Sequence, residues 1–292
     1  MTQFFDLTLN GISAGMIYAA VALGLVLIWR ATRIVNFAQG SMAMFTTYMA
    51  VALLDRKVGY WLAFVCALLI GLVMGALVEV VLIKPLQGKP ELNPVIVTLG
   101  LLILLEGVIG SIFGVQNRGF PAAFSQSGLT VGSTQISFSH FDVFILVAVL
   151  VLMLAILVLF RGTNVGLRMR AAAFAPESAR LAGVRVNRVL VLGWALAALA
   201  GSLAGLLVAP TAAFSPNYMD LILVYAFTAA VVGGLDSPLG GLIGGLLTGL
   251  ALSYVGGYLG SSLEPLGAAA ILIVVLMIRP EGIFSRTAAR RV

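Results

Sequence analysis

Residues 143–160 read VFILVAVLVLMLAILVLF, an uninterrupted apolar stretch between Asp142 and Arg161. Comparable runs without Asp, Glu, Lys or Arg cover residues 7–29, 58–78, 119–141, 189–219 and 237–263. A helix needs roughly 20 apolar residues to cross the hydrocarbon core of a bilayer, and several of these runs are long enough. A backbone in lipid must satisfy its own hydrogen bonds, and none of the runs alternates with a period of two. They therefore predict membrane-spanning α-helices rather than barrel strands.

The composition points to the same class of protein. Of the 292 residues, 61% are apolar and only 10% are charged, and the mean hydropathy is +1.12. These values lie outside the range of soluble globular domains. We expect an all-α, polytopic helical membrane bundle, organised as one transmembrane domain over residues 1–292. The start of the chain, MTQFFDLTLNG, has Asp6 where a signal peptide has basic residues, so we expect the first span to belong to the mature protein.

Eight or nine spans are expected, because two of the candidates are also compatible with re-entrant segments. These two are residues 36–54 and the glycine-broken stretch 219–245. The full set of candidate spans is 10–29, 36–54, 61–83, 93–114, 141–160, 190–210, 219–235, 238–258 and 264–279.

The basic residues divide unequally between the two sides that these spans define. Of the 17 Lys and Arg residues, 14 fall on one side, and only Arg56, Lys57 and Arg118 fall on the other. Cytoplasmic loops of membrane proteins carry the excess of Lys and Arg. The split therefore predicts a cytoplasmic segment at 161–189, a cytoplasmic tail at 280–292 and an N-terminus outside. Orientation in a lipid bilayer also explains the pI near 9.8 better than nucleic-acid binding does.

The longest connection on the other side covers residues 115–140. Within it, Leu129 to Ser139 roughly alternate around Gly132-Ser133, which indicates a short β-hairpin. Two interpretations remain open for this extracytoplasmic loop. It is either a docking surface for an outside partner or a lid that packs on the bundle.

The chain lacks the residues needed for most enzymatic chemistry. It has one histidine and one cysteine, which cannot form a zinc site. The pair Gly88-Lys89 is followed by Pro90, so there is no phosphate-binding loop. We therefore expect no enzyme, no metal, no cofactor and no ATP site in this chain.

The stretch from Asn36 to Ser41 is the first candidate for a substrate pathway. Asn36 and Gln39 are spaced as a capping pair that opens a helix at 36, which is the purely structural interpretation. In the functional interpretation the same helix start presents N–H groups and a positive dipole end to an anionic group on a substrate, and Gly40 permits close approach.

Two acidic residues lie within predicted spans. Glu79 is close in sequence to Lys84, so we expect it to reach the cytoplasmic interface. Glu106 lies in the middle of LGLLILLEGVIGS, where an ionised side chain is costly and usually faces the bundle interior or a cavity. Glu106 is either a carboxyl hydrogen-bonded between helices or part of the translocation path.

Small residues at a spacing of four recur along the chain and predict close helix packing. The pairs are Gly71/Gly75, Gly110/Gly114, Gly201/Gly205, Gly240/Gly244, Gly241/Gly245, Gly245/Gly249 and Gly256/Gly260.

Residues 231–249 read VVGGLDSPLGGLIGGLLTG and predict a break between two helices. Gly233 and Gly234 interrupt the apolar run, and Asp236, Ser237 and Pro238 form a turn sequence. Either these residues make a tight helical hairpin, or the broken helix lines the pathway as a gate.

A basic segment stands apart from the apolar runs at residues 164–189, NVGLRMRAAAFAPESARLAGVRVNRV. Pro176 suits the first position of a helix, Glu177 suits its first turn, and Gly183 suits the position after its end, which predicts a helix at 176–182. Phe174 and Leu181 are placed to share one face, with Ser178 between them. The helix either rests on anionic lipid or inserts into a groove of another protein. Its many alanines, among them Ala182, favour the groove.

Four motifs in order give the chain a resemblance to the inner-membrane permease subunits of branched-chain amino-acid ABC importers. They are NFAQG at 36–40, RAAAFAPESARLAGV at 170–184, the glycine-rich segment from Gly233, and RPEGIF at 279–284. Two positions differ from the family pattern, in which Glu often follows Gly40 and Gly often stands at 236. Here they are Ser41 and Asp236.

The resemblance implies that 176–182 is a coupling helix held by a cytoplasmic ATPase subunit through Phe174, Glu177, Ser178, Leu181, Ala182 and Gly183. It further implies a second permease subunit, either a homologous partner or a second copy, two ATPase subunits, a soluble extracytoplasmic binding protein and a bacterial inner-membrane location. The expected substrate is a branched-chain or related small apolar amino acid. Other members of the family import urea, short amides or other small solutes. A self-sufficient secondary transporter or channel is a more distant alternative, and a membrane scaffold fits poorly with Glu106.

Overall fold

Eleven α-helices make up most of the chain in a computed structural model that describes residues 2–90, 92–131 and 134–284. They are α1 (Thr2–Thr32), α2 (Gln39–Asp55), α3 (Tyr60–Val78), α4 (Leu92–Phe113), α5 (His140–Gly162), α6 (Asn164–Phe174), α7 (Pro176–Leu181), α8 (Val186–Val208), α9 (Asp220–Gly233), α10 (Pro238–Leu259) and α11 (Glu264–Ile278). A π-helical turn, Glu79–Ile83, and a 3-10 turn, Lys84–Leu86, extend α3.

Among these described residues, seven helices are long and apolar enough to cross a membrane, which confirms a polytopic helical bundle. They are α1, α3 with its extension, α4, α5, α8, α10 and α11. The other two predicted spans are shorter helices: α2 has 17 residues and α9 has 14. These are the two stretches whose sequence also allowed re-entrant or broken segments.

The chain divides into two compact units, a division that no change in composition marks. The first unit contains the described parts of residues 1–26, 122–149 and 221–292, and the second contains those of 27–121 and 150–220. Both units are assembled from segments that are distant in sequence, because the chain passes from one unit to the other within α1 and again within α5.

In the first unit, glycines bring the backbones of α1 and α10 together. A Cβ atom on Gly15 would lie 2.9 Å from the carbonyl oxygen of Gly245, and one on Gly249 would overlap Gly15. Small residues allow this approach, because lipid provides no hydrophobic drive for helices to associate and their van der Waals packing must be close. The predicted packing role of Gly245/Gly249 is confirmed.

In the second unit, α8 packs against both α2 and α3. A Cβ atom on Gly75 of α3 would overlap the backbone of Trp194, and one on Gly205 of α8 would lie 2.8 Å from the carbonyl oxygen of Ala43. The pair Gly110/Gly114 makes no such contact within the described residues, so its packing role stays a prediction. Among the described residues no heavy atom lies within 4 Å of a Cβ at Gly114, which ends α4 with a φ of +81°.

The predicted hairpin is present as β1 (Gly128–Val131) and β2 (Thr134–Ser139), which pair antiparallel. Its predicted turn, Gly132-Ser133, lies outside the described residues. Asp142 fixes the second strand to the following helix, because its carboxylate accepts hydrogen bonds from the Ser139 N–H (2.8 Å) and hydroxyl (2.6 Å). The Ser13 hydroxyl of α1 donates to the same carboxylate at 2.6 Å. The hairpin is thus anchored to two helices of the first unit.

Glu79 corrects one expectation from the sequence. Its side chain is fully buried, although its distance of five residues from Lys84 suggested an interfacial position. Gln87 Nε2 lies 3.5 Å from one carboxylate oxygen, and the other oxygen has no hydrogen-bond partner among the described residues. The π-helical turn begins at this residue, which places the carboxyl inside the second unit.

Candidate functional site

The start of α2 is organised by two buried amides, but they do not form the predicted capping pair. Helix α2 begins at Gln39, three residues later than expected, and Ala38 occupies the cap position without a side-chain hydrogen bond. The Ala38 N–H donates to Asn36 Oδ1 at 3.0 Å, and Asn36 Nδ2 donates to Gln39 Oε1 at 3.1 Å. Gln39 then donates from Nε2 to the carbonyl oxygen of Ala197 at 2.8 Å, which ties the start of α2 to α8.

This contact places the beginning of α2 part-way along α8 rather than at its end. Ala197 lies 11 residues after Val186, the first residue of α8, which corresponds to about 16 Å at 1.5 Å per residue. Gly201, which also abuts Gln39, lies about 22 Å along the same helix. Because Gly205 meets Ala43 and Thr47 further on, α2 and α8 run in the same direction. A helix that begins at this depth is typical of the broken helices of transporters.

All four predicted pathway residues of this stretch are buried in the second unit: Asn36, Gln39, Gly40 and Ser41. The Ser41 hydroxyl donates to the carbonyl oxygen of Ala38 at 3.1 Å. The side chains of Asn36, Gln39 and Ser41 therefore have a local structural role, and the place of all four residues in a substrate pathway stays a prediction.

A layer of hydroxyl groups continues from the start of α2, and sequence analysis did not identify it. Thr46 Oγ1 lies 2.9 Å from Ser202 Oγ, while the Tyr218 hydroxyl lies 3.0 Å from both Thr47 Oγ1 and the carbonyl oxygen of Gly205. Burial raises the pKa of the Tyr218 hydroxyl above its ordinary value, so this group stays protonated as a donor. Isolated Thr and Ser residues in apolar runs carry no spacing signal that predicts their partners.

Glu106 is partly buried in the middle of α4, and its carboxyl group lies close to that of Asp220 at the start of α9. A hydrogen bond between two carboxyl groups requires one proton, because two carboxylates offer only acceptors. The other Glu106 oxygen, Oε1, has no partner among the described residues. This arrangement matches the interpretation of Glu106 as a carboxyl hydrogen-bonded between helices, and Asp220 is the partner that the sequence did not reveal.

The predicted break near residue 233 is confirmed, and it belongs to the first unit. Helix α9 ends at Gly233, Gly234 adopts a φ of +93°, and α10 begins at Pro238. Ser237 caps α10 by accepting a hydrogen bond from the Gly240 N–H at 2.9 Å. A Cβ atom on Gly233 would overlap the backbone of Gly240, so the two helices meet backbone to backbone. Asp236 is exposed in the turn between them.

The basic segment contains two helices in the second unit. The first, α6, was not predicted. It turns sharply from α5, and glycine at position 166 permits this turn, because a Cβ atom there would overlap the carbonyl oxygens of Leu159 and Phe160. The second, α7, agrees with the predicted helix to within one residue. Phe174 is the last residue of α6, and its side chain lies outside the described part of the structure.

The end of α7 is closed by the predicted glycine. Gly183 has a φ of +80° and donates its N–H to the carbonyl oxygen of Arg180 at 3.0 Å, while the Val184 N–H donates to Ala179 at 2.9 Å. These two bonds form a Schellman motif, which satisfies the last carbonyls of the helix.

Helix α7 buries one face and exposes the other. Ala179 is buried against the rest of the second unit, while the Leu181 side chain is 92% exposed. Glu177, Ser178 and Ala182 are also exposed. An exposed leucine beside small and polar side chains is the arrangement expected of a helix that inserts into a partner protein.

Comparisons with known proteins support one family. Residues 7–279 match the family model described as the branched-chain amino acid transport system / permease component. The chain is 28% identical to the high-affinity branched-chain amino acid transport system permease protein LivH of Salmonella typhimurium, with 99% of this chain and 98% of that protein covered. It is 27% identical, with the same coverage, to the corresponding permease protein BraD of Pseudomonas aeruginosa.

Among solved structures, a chain of PsaBC from Streptococcus pneumoniae in complex with Fab has a similar fold, with a TM-score of 0.51 and 16% identity. The alignment covers 94% of this chain and 91% of that chain. The apolar helices, the broken helix, the capped α7 and the match over residues 7–279 lead to one conclusion: the chain belongs to the permease components of branched-chain amino acid transport systems.

Proposed function

We propose that this chain is the transmembrane permease subunit of an ATP-driven importer for branched-chain or related small apolar amino acids. It works with a second permease subunit, two cytoplasmic ATPase subunits and a soluble extracytoplasmic binding protein. The observation that carries this proposal is the exposure of Leu181 on α7, within residues 161–189, which hold six of the 14 majority-side cations. The substrate assignment is supported by the names of the relatives LivH and BraD.

In this proposal α7 is the contact through which the ATPase acts. Burial of a leucine side chain contributes roughly 1.5–3 kcal/mol, so a partner groove gains appreciably by covering Leu181. The Gly183 cap keeps the exposed face short and fixed, and Ala182 leaves space for a groove wall to approach. The start of α2 and Glu106 are proposed to border the substrate pathway, and the break at Gly233 and Gly234 is proposed to act as its gate.

The proposal is tested with the complete complex in proteoliposomes, assayed for ATP-dependent leucine uptake and for ATPase association. We expect Leu181→Ala and Ala182→Trp to weaken ATPase binding and uptake together, because the first removes buried area and the second overfills the groove. Leu259→Ala is the matched control, since Leu259 is also well exposed but lies at the far end of α10.

Two results would contradict the docking of α7. One is undiminished ATPase binding in both variants, and the other is full ATPase binding and uptake in Ala182→Trp, as expected for a helix resting on lipid. The substrate class is tested separately by a thermal-shift screen of the binding protein. Stabilisation by leucine, isoleucine or valine supports the assignment, and stabilisation only by urea or acetamide replaces it.

A further inference from the structure

The motif RPEGIF at residues 279–284 forms a strap that folds back from the end of α11, and we call this segment the C-terminal strap. Helix α11 closes with a hydrogen bond from the Arg279 N–H to Val275 at 2.7 Å. The Gly282 N–H then donates to the carbonyl oxygen of Arg279 at 2.9 Å, which closes a four-residue turn. Proline in the second position and glycine in the fourth are favoured in such turns. The first four residues of the motif therefore form the turn that reverses the direction of the chain.

The strap ends on α9. The Ile283 N–H donates to the carbonyl oxygen of Val232 at 2.9 Å. Val232 is the residue before the last one of α9, where carbonyl groups have no partner within their own helix. Such groups are costly to leave unpaired in a membrane protein. The strap therefore provides a hydrogen-bond donor for a carbonyl group that α9 cannot pair within its own helix.

Two glycines make this contact possible. Gly282 is buried with a φ of +85°, and it faces Gly234, whose φ is +93°. A Cβ atom on Gly282 would overlap the Cα of Gly234 and would lie 2.6 Å from its nitrogen and 2.7 Å from the carbonyl oxygen of Val231. No side chain fits between the two backbones, so the strap and the helix break are in direct backbone contact.

The end of α9 is thus held from two directions within the first unit. Helix α10 holds it through Gly240 and through Gly244, where a Cβ atom would overlap the carbonyl oxygen of Ala229. The strap holds it through Gly282 and Ile283. Helix α9 has only 14 residues, about 21 Å, which is shorter than a hydrocarbon core of about 30 Å. Its position therefore depends on these contacts more than that of a full-length span would.

We propose that Gly282 and Ile283 are positioning residues for the broken helix: the strap holds the end of α9 in place so that ATP hydrolysis is converted into transport. The proposal rests on the proposed import function and adds a role for the RPEGIF motif within it. Loss of the strap contact frees α9 to move without the ATPase cycle, which uncouples hydrolysis from uptake.

The primary variant is Gly282→Ala, combined with Val232→Cys in a Cys66→Ala background. Val232 is buried, so its reaction with N-ethylmaleimide in the assembled complex reports opening of the α9 end. Losing one hydrogen bond and its close contact should increase labelling about fivefold to tenfold. The number of ATP molecules hydrolysed per leucine imported should rise as well. The matched control is Gly88→Ala, because Gly88 has the same positive φ of +80° but no heavy atom within 4 Å of its Cβ position among the described residues.

A pair of truncations keeps the test decisive if Gly282→Ala assembles poorly. Ending the chain after Glu281 removes the strap contacts, whereas ending it after Phe284 retains them. We expect fast labelling and uncoupled hydrolysis only in the shorter chain. Labelling at the wild-type rate overturns the proposal, as does a lower yield with an unchanged ratio of ATP to leucine. If the wild-type complex does not import leucine at all, the proposed function is wrong. The labelling comparison still tests whether the strap holds the end of α9 in place.

Discussion

Glu106 shows how a single carboxyl group inside an apolar helix is accommodated. Its carboxyl group lies close to that of Asp220 at the start of α9, and a hydrogen bond between the two side chains needs one proton. A neutral amide can reproduce the donor that this bond requires, whereas an alkyl side chain cannot. Substitutions at this position therefore separate a need for a hydrogen bond from a need for a negative charge.

We expect Glu106→Gln to retain leucine uptake in reconstituted complexes, because its amide can donate to the Asp220 carboxylate. Glu106→Leu should lower the free energy of unfolding by about 1 kcal/mol, since it removes the bond. Uptake and thermal unfolding of both variants are the measurements. If Glu106→Gln folds normally but abolishes uptake, the ionised carboxylate acts in the pathway and the hydrogen-bond explanation is wrong.

At the scale of the elements, the interface between α3 and α8 depends on the absence of side chains. Gly71 and Gly75 lie four residues apart on α3, opposite Ser202, Ala198 and Trp194 of α8. At Gly75 the nearest atom is the carbonyl oxygen of Trp194, which cannot move aside as a flexible side chain can. This interface therefore tolerates added volume less well than the exposed surface of α4.

Gly75→Ala should destabilise the chain by about 1–3 kcal/mol, as expected for overpacking of a close helix interface. Gly107→Ala is the control, because Gly107 is also within a helix and among the described residues nothing lies within 4 Å of its Cβ position. Gly107→Ala should leave the stability of the chain unchanged or raise it slightly, because alanine favours a helix more than glycine does. The thermal midpoints of the two variants in the same detergent check the prediction, and equal midpoints would contradict it.

At the scale of the whole molecule, the unequal distribution of basic residues agrees with the geometry of the second unit. Arg118 lies 4.0 Å from Asp55, next in sequence to Arg56 and Lys57, and its N–H donates to Phe214 at 2.9 Å. The three cations of the minority side are therefore close together. Arg30, from the majority side, lies over the Phe160 ring at 5.4 Å, beside the start of the basic segment.

We expect Arg168→Cys in a Cys66→Ala background to react with a membrane-impermeant maleimide only after intact cells are permeabilised. Arg56→Cys should react without permeabilisation, because the charge distribution places it outside. Both positions are exposed, so accessibility within the protein does not limit the reaction. Labelling of position 168 in intact cells would contradict the predicted orientation and place the basic segment outside.

The membrane-spanning helices were predictable because each must be apolar along most of its length. The apolar run 143–160 lies within α5, and Pro176 and Gly183 predicted α7 to within one residue. What the sequence did not reveal are contacts between distant residues. These include the pairing of Glu106 with Asp220, the burial of Glu79, and the position of Gln39 beside the middle of α8. Such contacts depend on how helices pack, and neither hydropathy nor local spacing encodes that.

The turn between α5 and α6 has a mechanical consequence. Gly166 is pressed against the backbone of Leu159 and Phe160, and Thr163 closes the turn by donating to Leu159 at 2.7 Å and accepting from the Gly166 N–H at 3.2 Å. These contacts fix the direction in which α6 leaves the end of α5. In the proposed importer, a force that the ATPase applies to α7 would pass through α6 to the end of α5, so that a small displacement of α7 would tilt α5.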